Sequence, residues 1–315
     1  MLAMRRNKLT FGLVALFLAL LLAGCVTVKV DLFEEDKPLK EKVISGYGRD
    51  KVLLVDVSGV IMETRHRSLL GLGVATTPAY IKEVLDKAAK DGHIKALVLR
   101  INSPGGTVSA SDMMHHELML YKQEHHVPVV ACLMSLATSG GYYLAQAADT
   151  IVANPAGITG SIGVLAMKLN FKGLMNKVGV QGEMVKSGKW KDFWSPFRPS
   201  TPQEKQMMQE IINSYYRGFV DVVCQGRKMD LKEVKRVADG RIYTASQVKD
   251  LGLVDSLGYL DDAVKIAEEK AGLEHAKVVR YHRPGSYRPN IYSQFPDFSW
   301  AVTPQFLYLW WPGSL

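Results

Sequence analysis

Three apolar runs constrain this chain more than any other feature: "KVLLVDVSGVI" (51–61), "IKALVLRIN" (94–102) and "VPVVACLMS" (127–135). Each is short, rich in β-branched residues, and apolar at consecutive positions rather than at alternate ones. A strand with that pattern is covered on both faces. The stretches between them carry helical punctuation. In "TTPAYIKEVLDKAAKDG", Thr77 is placed as an N-cap, Pro78 at the first helical position and Gly92 beyond the end. "SASDMMHHELMLYKQEHH" follows the turn "SPGG", and "SGGYYLAQAA" follows the third strand. Strands alternating with helices predict an α/β fold with largely parallel sheets covered by helices.

Further along, "TIVANP" and "SIGVLAMKLN" read as strands, "KGLMNKVG" as a helix and "VQGEMVKSG" as extended chain. "TPQEKQMMQEIINSYYRGFVDVVCQGRK" is a long helix opened by Thr201, Pro202 and Glu204 in a capping box, and "AKVVRYH" is a last strand. No repeat of fixed period is evident. These elements define a single domain, 51–282.

The flanks differ in composition. "MLAMRRNK" is basic, and "LTFGLVALFLALLLAG" is about long enough for a bilayer core. That combination is an export signal whose positive end stays inside. It ends in "LAGC", which resembles the lipobox of bacterial lipoproteins and would make Cys25 the lipidated first residue of the mature chain. A plain signal anchor is the alternative. Either places the remainder in the bacterial cell envelope, tethered to membrane lipid outside the cytoplasm, on the periplasmic side. Val26 after the cysteine leans toward the outer membrane. Residues 26–50 are polar and charged and read as a linker, and 283–315 form an aromatic tail. Cys132 and Cys224 lie in apolar settings and read as buried free thiols, although an exported pair could form a disulfide. The net charge of +8 suits an anionic lipid surface as well as an ordinary basic one. No RNP, zinc-finger or Arg-rich cluster is present, which argues against nucleic acid as a partner.

Metal and nucleotide motifs are missing. There is no H-E-x-x-H and no C-x-x-C. "GEMVKSGK" (182–189) is one residue too long for a phosphate loop, and Trp190 stands where Ser or Thr would hold magnesium. No cofactor and no metal are expected. The histidines read as surface residues.

Two glycine turns remain. "SGG" at a strand-to-helix junction can expose Ser139 at a helix start, where free N–H groups favour negative charge and Gly140 lets a carbonyl carbon approach. "NSPGG" is a second such junction, whose Gly105 or Gly106 N–H could complete an oxyanion hole. On neighbouring parallel strands both turns reach the same sheet edge. The base is harder to place. "VKSGKWKDFWSPFRPS" (185–200) offers lysines among Trp190, Phe193 and Trp194. A lysine poised near pH 7–8 must fall by roughly 2.5–3 units from about 10.4, on the order of 3.5–4 kcal/mol. Apolar burial supplies a shift of that sign.

Together, "NSPGG", "SLATSGGYYLAQAADTIVANP", "TGSIGV", "KSGKWKDFWSPFRPST", "QGRK" and "ADGRIYTASQVKDLGLVDSLG" resemble bacterial signal peptide peptidases of the SppA type, in order over about 45–270. The resemblance implies a crotonase/ClpP-like α/β fold, a Ser–Lys dyad, a membrane-facing homo-oligomer, and hydrophobic peptide substrates such as released signal peptides. By motif it implies Ser139 as nucleophile, Lys191 as general base, Ser161 as the serine that orients the lysine, and the "SPGG" turn with Gly140 as oxyanion donors. Thr138 stands where such sequences commonly have alanine. With one catalytic copy, Ser139 and Lys191 must meet within one protomer or across a subunit contact. A crotonase-type acyl-CoA enzyme and a non-catalytic membrane scaffold are the rival readings. The tail (295–315) has the composition of an apolar peptide substrate. It could pack on the domain, lie at a membrane interface, or enter the substrate groove as an added strand.

Overall fold

The computed structural model describes residues 38–63, 76–283 and 306–309. The expectations for the export signal, the lipobox and Cys25, and for the tail outside 306–309, fall on residues outside these. The described residues from Leu39 onward belong to one compact unit.

The three apolar runs become β2 (Lys51–Ser58), β3 (Ile94–Ser103) and β5 (Val129–Thr138), neighbours in one parallel sheet. Their pleat explains the unbroken apolar pattern. Leu53, Val55, Leu97, Leu99, Val129 and Ala131 enter the larger core on one face. Val52, Leu54, Ala96, Val98, Val130 and Cys132 enter a second core on the other. The larger face is covered by α1 (Pro78–Ala89), α2 (Val108–His125) and α3 (Gly140–Ala145). α1 begins as its sequence requires, with the Thr77 side chain accepting from the Tyr80 N–H and Pro78 at its first position. The opposite face is covered by α8 (Leu260–Lys270), whose Leu260, Ala263, Val264 and Ala267 make one helical stripe.

Along the main path the strands run β1 (Lys40–Gly46), β11 (Lys277–His282), β2, β3, β5, β6 (Thr150–Ala153) and β10 (Ser256–Leu257). β7 (Ile158–Gly160) and β9 (Ile242–Thr244) branch from β5. Among the described residues of this sheet, β1/β11 and β7/β9 are the antiparallel pairs. β5 changes partner along its length. It pairs with β6 up to Leu133 and with β7 from Leu136, and its register against β3 shifts between the two. The Asn102 side chain bridges the shift by accepting from the Leu136 N–H (3.1 Å). The second half of β5 delivers Ser139.

Two short strands, β4 (Gly105–Thr107) and β8 (Leu165–Ala166), flank β12 (Phe306–Leu309) in a separate antiparallel sheet. Between β8 and β9 lie α4 (Lys172–Val178), the long α5 (Pro202–Arg227) and α6 (Leu231–Val237); α7 (Ala245–Asp250) follows β9. The expected capping box of α5 is present, with the Thr201 side chain accepting from Glu204 N–H and the Glu204 side chain from Thr201 N–H.

Three expectations are corrected. The linker assigned to 26–50 contains β1, which pairs antiparallel with β11. Its sequence, KEKVISG, is mostly exposed and charged, as suits an edge strand, so it reads like solvated chain. "SIGVLAMKLN" yields only the two residues of β8, because Ser161 adopts φ 53° and bends the chain beyond β7. His115 is not a surface residue. It is partly buried edge-on against Tyr143 (5.3 Å), and burial first, with His116 and Lys122 adding, lowers its pKa to about 4. Cys132 and Cys224 are free thiols; Cys132 is fully buried, and burial pushes its pKa up to about 12.

Candidate active site

Ser139 lies between β5 and α3 with φ 55° and ψ −117°, a conformation that L residues avoid. Its neighbours enforce it. Ser139 N–H donates to the Gly160 carbonyl (2.8 Å), and its own carbonyl accepts from Tyr143 N–H (2.8 Å). The two tyrosines anchor the short helix behind it: Tyr142 Oη donates to the Leu253 carbonyl (2.6 Å) and Tyr143 Oη to Asp112 (2.8 Å). The result is a serine 1% exposed whose Oγ is buried with no hydrogen-bond partner among the described residues. A buried, unpaired hydroxyl costs about 1–3 kcal/mol.

The two glycine turns meet in front of it. A Cβ on Gly140 would lie 3.3 Å from both Gly105 Cα and Gly106 N, and 2.5 Å from Ser111 Oγ. A Cβ on Gly106 would fall 1.8 Å from the Ile61 carbonyl oxygen, so only glycine fits. The Gly105 N–H is occupied, donating to Ser103 Oγ (3.0 Å), and Ser103 Oγ in turn donates to the Gly59 carbonyl (2.6 Å). Of the three backbone donors expected, Gly105 is therefore committed to the turn itself and Gly106 is paired with Tyr308 of β12, which leaves Gly140. The Gly140 N–H opens α3 and has no acceptor within its own helix. Thr138 joins the two turns by donating from Oγ1 to the Pro104 carbonyl (3.2 Å), a role the sequence did not reveal.

Ser161 is brought close by register. Thr138 pairs with Gly160 across β5 and β7, so residues 139 and 161 leave the two strands side by side. Ser161 is buried, and its N–H donates to the Arg241 carbonyl (2.7 Å).

Lys191 is placed differently from the aromatic burial expected of it. It is exposed, in an irregular segment, and makes no hydrogen bond to Ser139 Oγ. The segment around it is nonetheless fastened. Asp192 accepts from Lys186 Nζ and from Arg198 Nε (2.7 Å), and Arg198 donates two further bonds to Glu204 (2.6 and 2.8 Å) inside the α5 capping box. The Arg198 guanidinium holds Glu204 down at about 2 and keeps the Asp192 carboxyl far below its ordinary range. Lys189 lies 4.5 Å over the Trp190 ring, and Lys168 lies 5.2 Å over the Trp194 ring. Lys168 donates to the Ser195 and Arg198 carbonyls and to Ser200 Oγ, and burial lowers its pKa. All of its acceptors are structural, so it clamps the loop. Lys168 stands outside the 185–200 window in sequence, and only the folded chain brings it back.

The helix α4 and the segment that carries Lys191 leave apolar side chains in solvent. Phe171, Leu174, Val178, Met184, Trp190 and Phe197 are all exposed, and α4 buries no residue.

Comparison with known proteins places the chain in a family. Residues 121–274 match the model of peptidase family S49. A protein of Enterococcus faecium provisionally named signal peptide peptidase SppA is 36% identical over 77% of this chain and 70% of its own. The chloroplastic serine protease SPPA of Arabidopsis thaliana is 32% identical over 78% of this chain and 36% of its own. Protease 4 of Salmonella typhi is 34% identical over 71% of this chain and 35% of its own. The α/β sheet with its helical covers is the ClpP/crotonase-like fold of that family. The chain belongs to peptidase family S49, the serine peptidases that include signal peptide peptidase homologues.

Proposed function

We propose that the chain is a membrane-tethered endopeptidase that cleaves extended, hydrophobic peptides with Ser139 as nucleophile and Lys191 as general base. One observation carries the reading. Ser139 is held in a strained conformation, its Oγ buried and unpartnered, with the backbone of the 105–106 turn packed against Gly140 next to it. A hydroxyl is kept in that condition at a cost, and a reaction that uses it accounts for the cost.

In the proposed cycle the neutral Lys191 amine takes the Ser139 Oγ proton as Oγ attacks the scissile carbonyl carbon. The Gly140 N–H receives the oxyanion. The C–N bond breaks, and the leaving amine takes the proton from Lys191. Water, deprotonated by the same amine, then hydrolyses the acyl ester and returns Ser139. Ser161 orients the lysine.

Lys191 reaches Ser139 of a neighbouring copy in this proposal. The exposed position of Lys191, the exposed apolar side chains of α4 and the unpartnered Ser139 Oγ support that arrangement. Burial of this surface in a homo-oligomer would take Lys191 out of water and bring it against the neighbour's Ser139, as a base requires. Tethering through Cys25 or the preceding apolar run would hold the site at a lipid surface outside the cytoplasm. No helix among the described residues is long and apolar enough to cross a membrane, and the apolar run of the N-terminus lies outside them.

A fluorophosphonate probe tests the assignment. It should label Ser139 in the wild type and not in Ser139→Ala. Lys191→Ala should lower turnover of an apolar peptide by at least about 10³-fold without unfolding the protein, whereas Lys186→Ala keeps most activity. Labelling elsewhere, or full turnover in Lys191→Ala, would remove the assignment.

A further inference from the structure

The strain seen at Ser139 recurs at Trp194. Its φ is 60°, a conformation that a bulky residue avoids, and its indole Nε1 is buried without a hydrogen-bond partner among the described residues. A residue stays in that condition only where its surroundings over-determine it. Here they do so from the chain that follows β8. Lys168 Nζ donates to the Ser195 carbonyl (2.9 Å), the Arg198 carbonyl (3.2 Å) and Ser200 Oγ (2.6 Å), and it lies 5.2 Å over the Trp194 ring. The three donors of the ammonium are all engaged. Phe171 N–H adds a bond to the Pro196 carbonyl (2.8 Å). From the α5 side, Arg198 holds Asp192, the neighbour of Lys191.

The fold has no need of so firm a grip. None of residues 165–200 belongs to a hydrophobic core cluster, Trp190 and Phe197 are exposed, and α4 buries no residue. Lys168 bonds mainly to main-chain carbonyls, so it fixes the path of the backbone. What that path determines is the place from which the Lys191 side chain leaves the loop.

We infer that Lys168 is a positioning residue for the general base: it holds residues 194–200 in the conformation from which Lys191 reaches the reacting serine. The inference rests on the reading of Lys191 as that base. Lys168 does not touch the reacting atoms, because its donors are occupied by the loop.

Two substitutions in the full-length protein test it. Lys168→Met keeps the reach of the side chain and removes its charge and donors, whereas Lys168→Arg keeps both. Lys168→Met should lower kcat for an apolar peptide about 10²-fold, the effect of a misplacement of about 1 Å, with KM changed by less than about threefold. Lys168→Arg should recover at least about tenfold of that loss. Hydrogen exchange in Lys168→Met should rise over residues 190–200, with the central sheet unchanged. The rate of fluorophosphonate labelling at Ser139 separates positioning from a merely structural role. Lys168→Met should slow it when Lys191 is present and leave it unchanged in the Lys191→Ala background, because a residue that acts through Lys191 has nothing to act on once Lys191 is gone. Equal slowing in both backgrounds, or a loss of turnover carried by KM, would overturn the inference. Unchanged kcat in Lys168→Met beside an inactive Lys191→Ala would overturn it and leave the base in place. Loss of turnover in Lys168→Met beside a fully active Lys191→Ala would remove the reading of Lys191 as base, and the inference with it.

Discussion

Ser139 carries two costs that a residue of the ordinary core does not, a positive φ of 55° and a buried Oγ without a partner. Their removal should be visible as stability. Ser139→Ala deletes the unsatisfied hydroxyl and should raise Tm by about 2–4 °C, equivalent to about 1 kcal/mol, while abolishing turnover. Ser139→Gly also relieves the backbone and should stabilise at least as much. Calorimetry on both variants checks this; a lower Tm for either would mean that the serine supports the fold. The glycines in front of it differ in what they tolerate. Gly106→Ala drives a methyl into the Ile61 backbone carbonyl and should cost about 3 kcal/mol or more, with loss of activity. Gly140→Ala meets the Ser111 side chain, which can turn away, so its fold should survive while turnover falls. Chemical denaturation of the pair distinguishes the two. Roles of this kind were legible in part. "SGG" and "SPGG" marked the turns as special, but that Gly105 gives its N–H to the Ser103 hydroxyl and Gly106 pairs with Tyr308 is decided only by the folded chain.

The segment that carries Lys191 has no regular structure and depends on Arg198, which joins Asp192 to Glu204 at the start of α5. The pairing holds the pKa of Glu204 at about 2. Its folded value lies below the unfolded one, near 4.3, so the stabilisation is complete above that pH and is lost as pH falls toward 2. Hydrogen exchange over residues 186–204 should therefore speed up between about pH 4.5 and 2, before the central sheet opens. Arg198→Ala should loosen the same segment already at neutral pH. If exchange there is flat over this range, the ion pairs do not hold the loop. The capping box of α5 was readable from Thr201 and Glu204, because caps are local. The pairing of Glu204 with Arg198 was not, because a single carboxylate can serve both a helix start and a guanidinium only once the loop has folded back.

At the scale of the assembly, the site proposed here is incomplete in one chain. Ser139→Ala and Lys191→Ala variants, each inactive alone, should regain part of the turnover when unfolded and refolded together, because a mixed oligomer pairs an intact Ser139 with an intact Lys191. No recovery would confine the dyad to one protomer. Leu174→Glu, on the exposed face of α4, should shift the sedimentation of the oligomer toward monomer and reduce turnover, with secondary structure unchanged. An unaltered oligomer would mean that this face is not the contact.

The sequence alone determined the doubly covered parallel sheet, the helix starts and the position of Ser139 at a strand-to-helix junction. These follow from local rules: side-chain period, cap chemistry and the freedom of glycine. Tertiary structure decided what depends on partners remote in the chain. β1 is a strand because β11 offers an edge, although its own residues are charged. β7 and β9 exist because β5 changes partner midway. Residues 306–309 form β12 because β4 and β8 leave room for one strand between them. Hydrogen bonds between distant strands are set by the backbone, which every residue shares, and no pattern of side chains along the chain announces them.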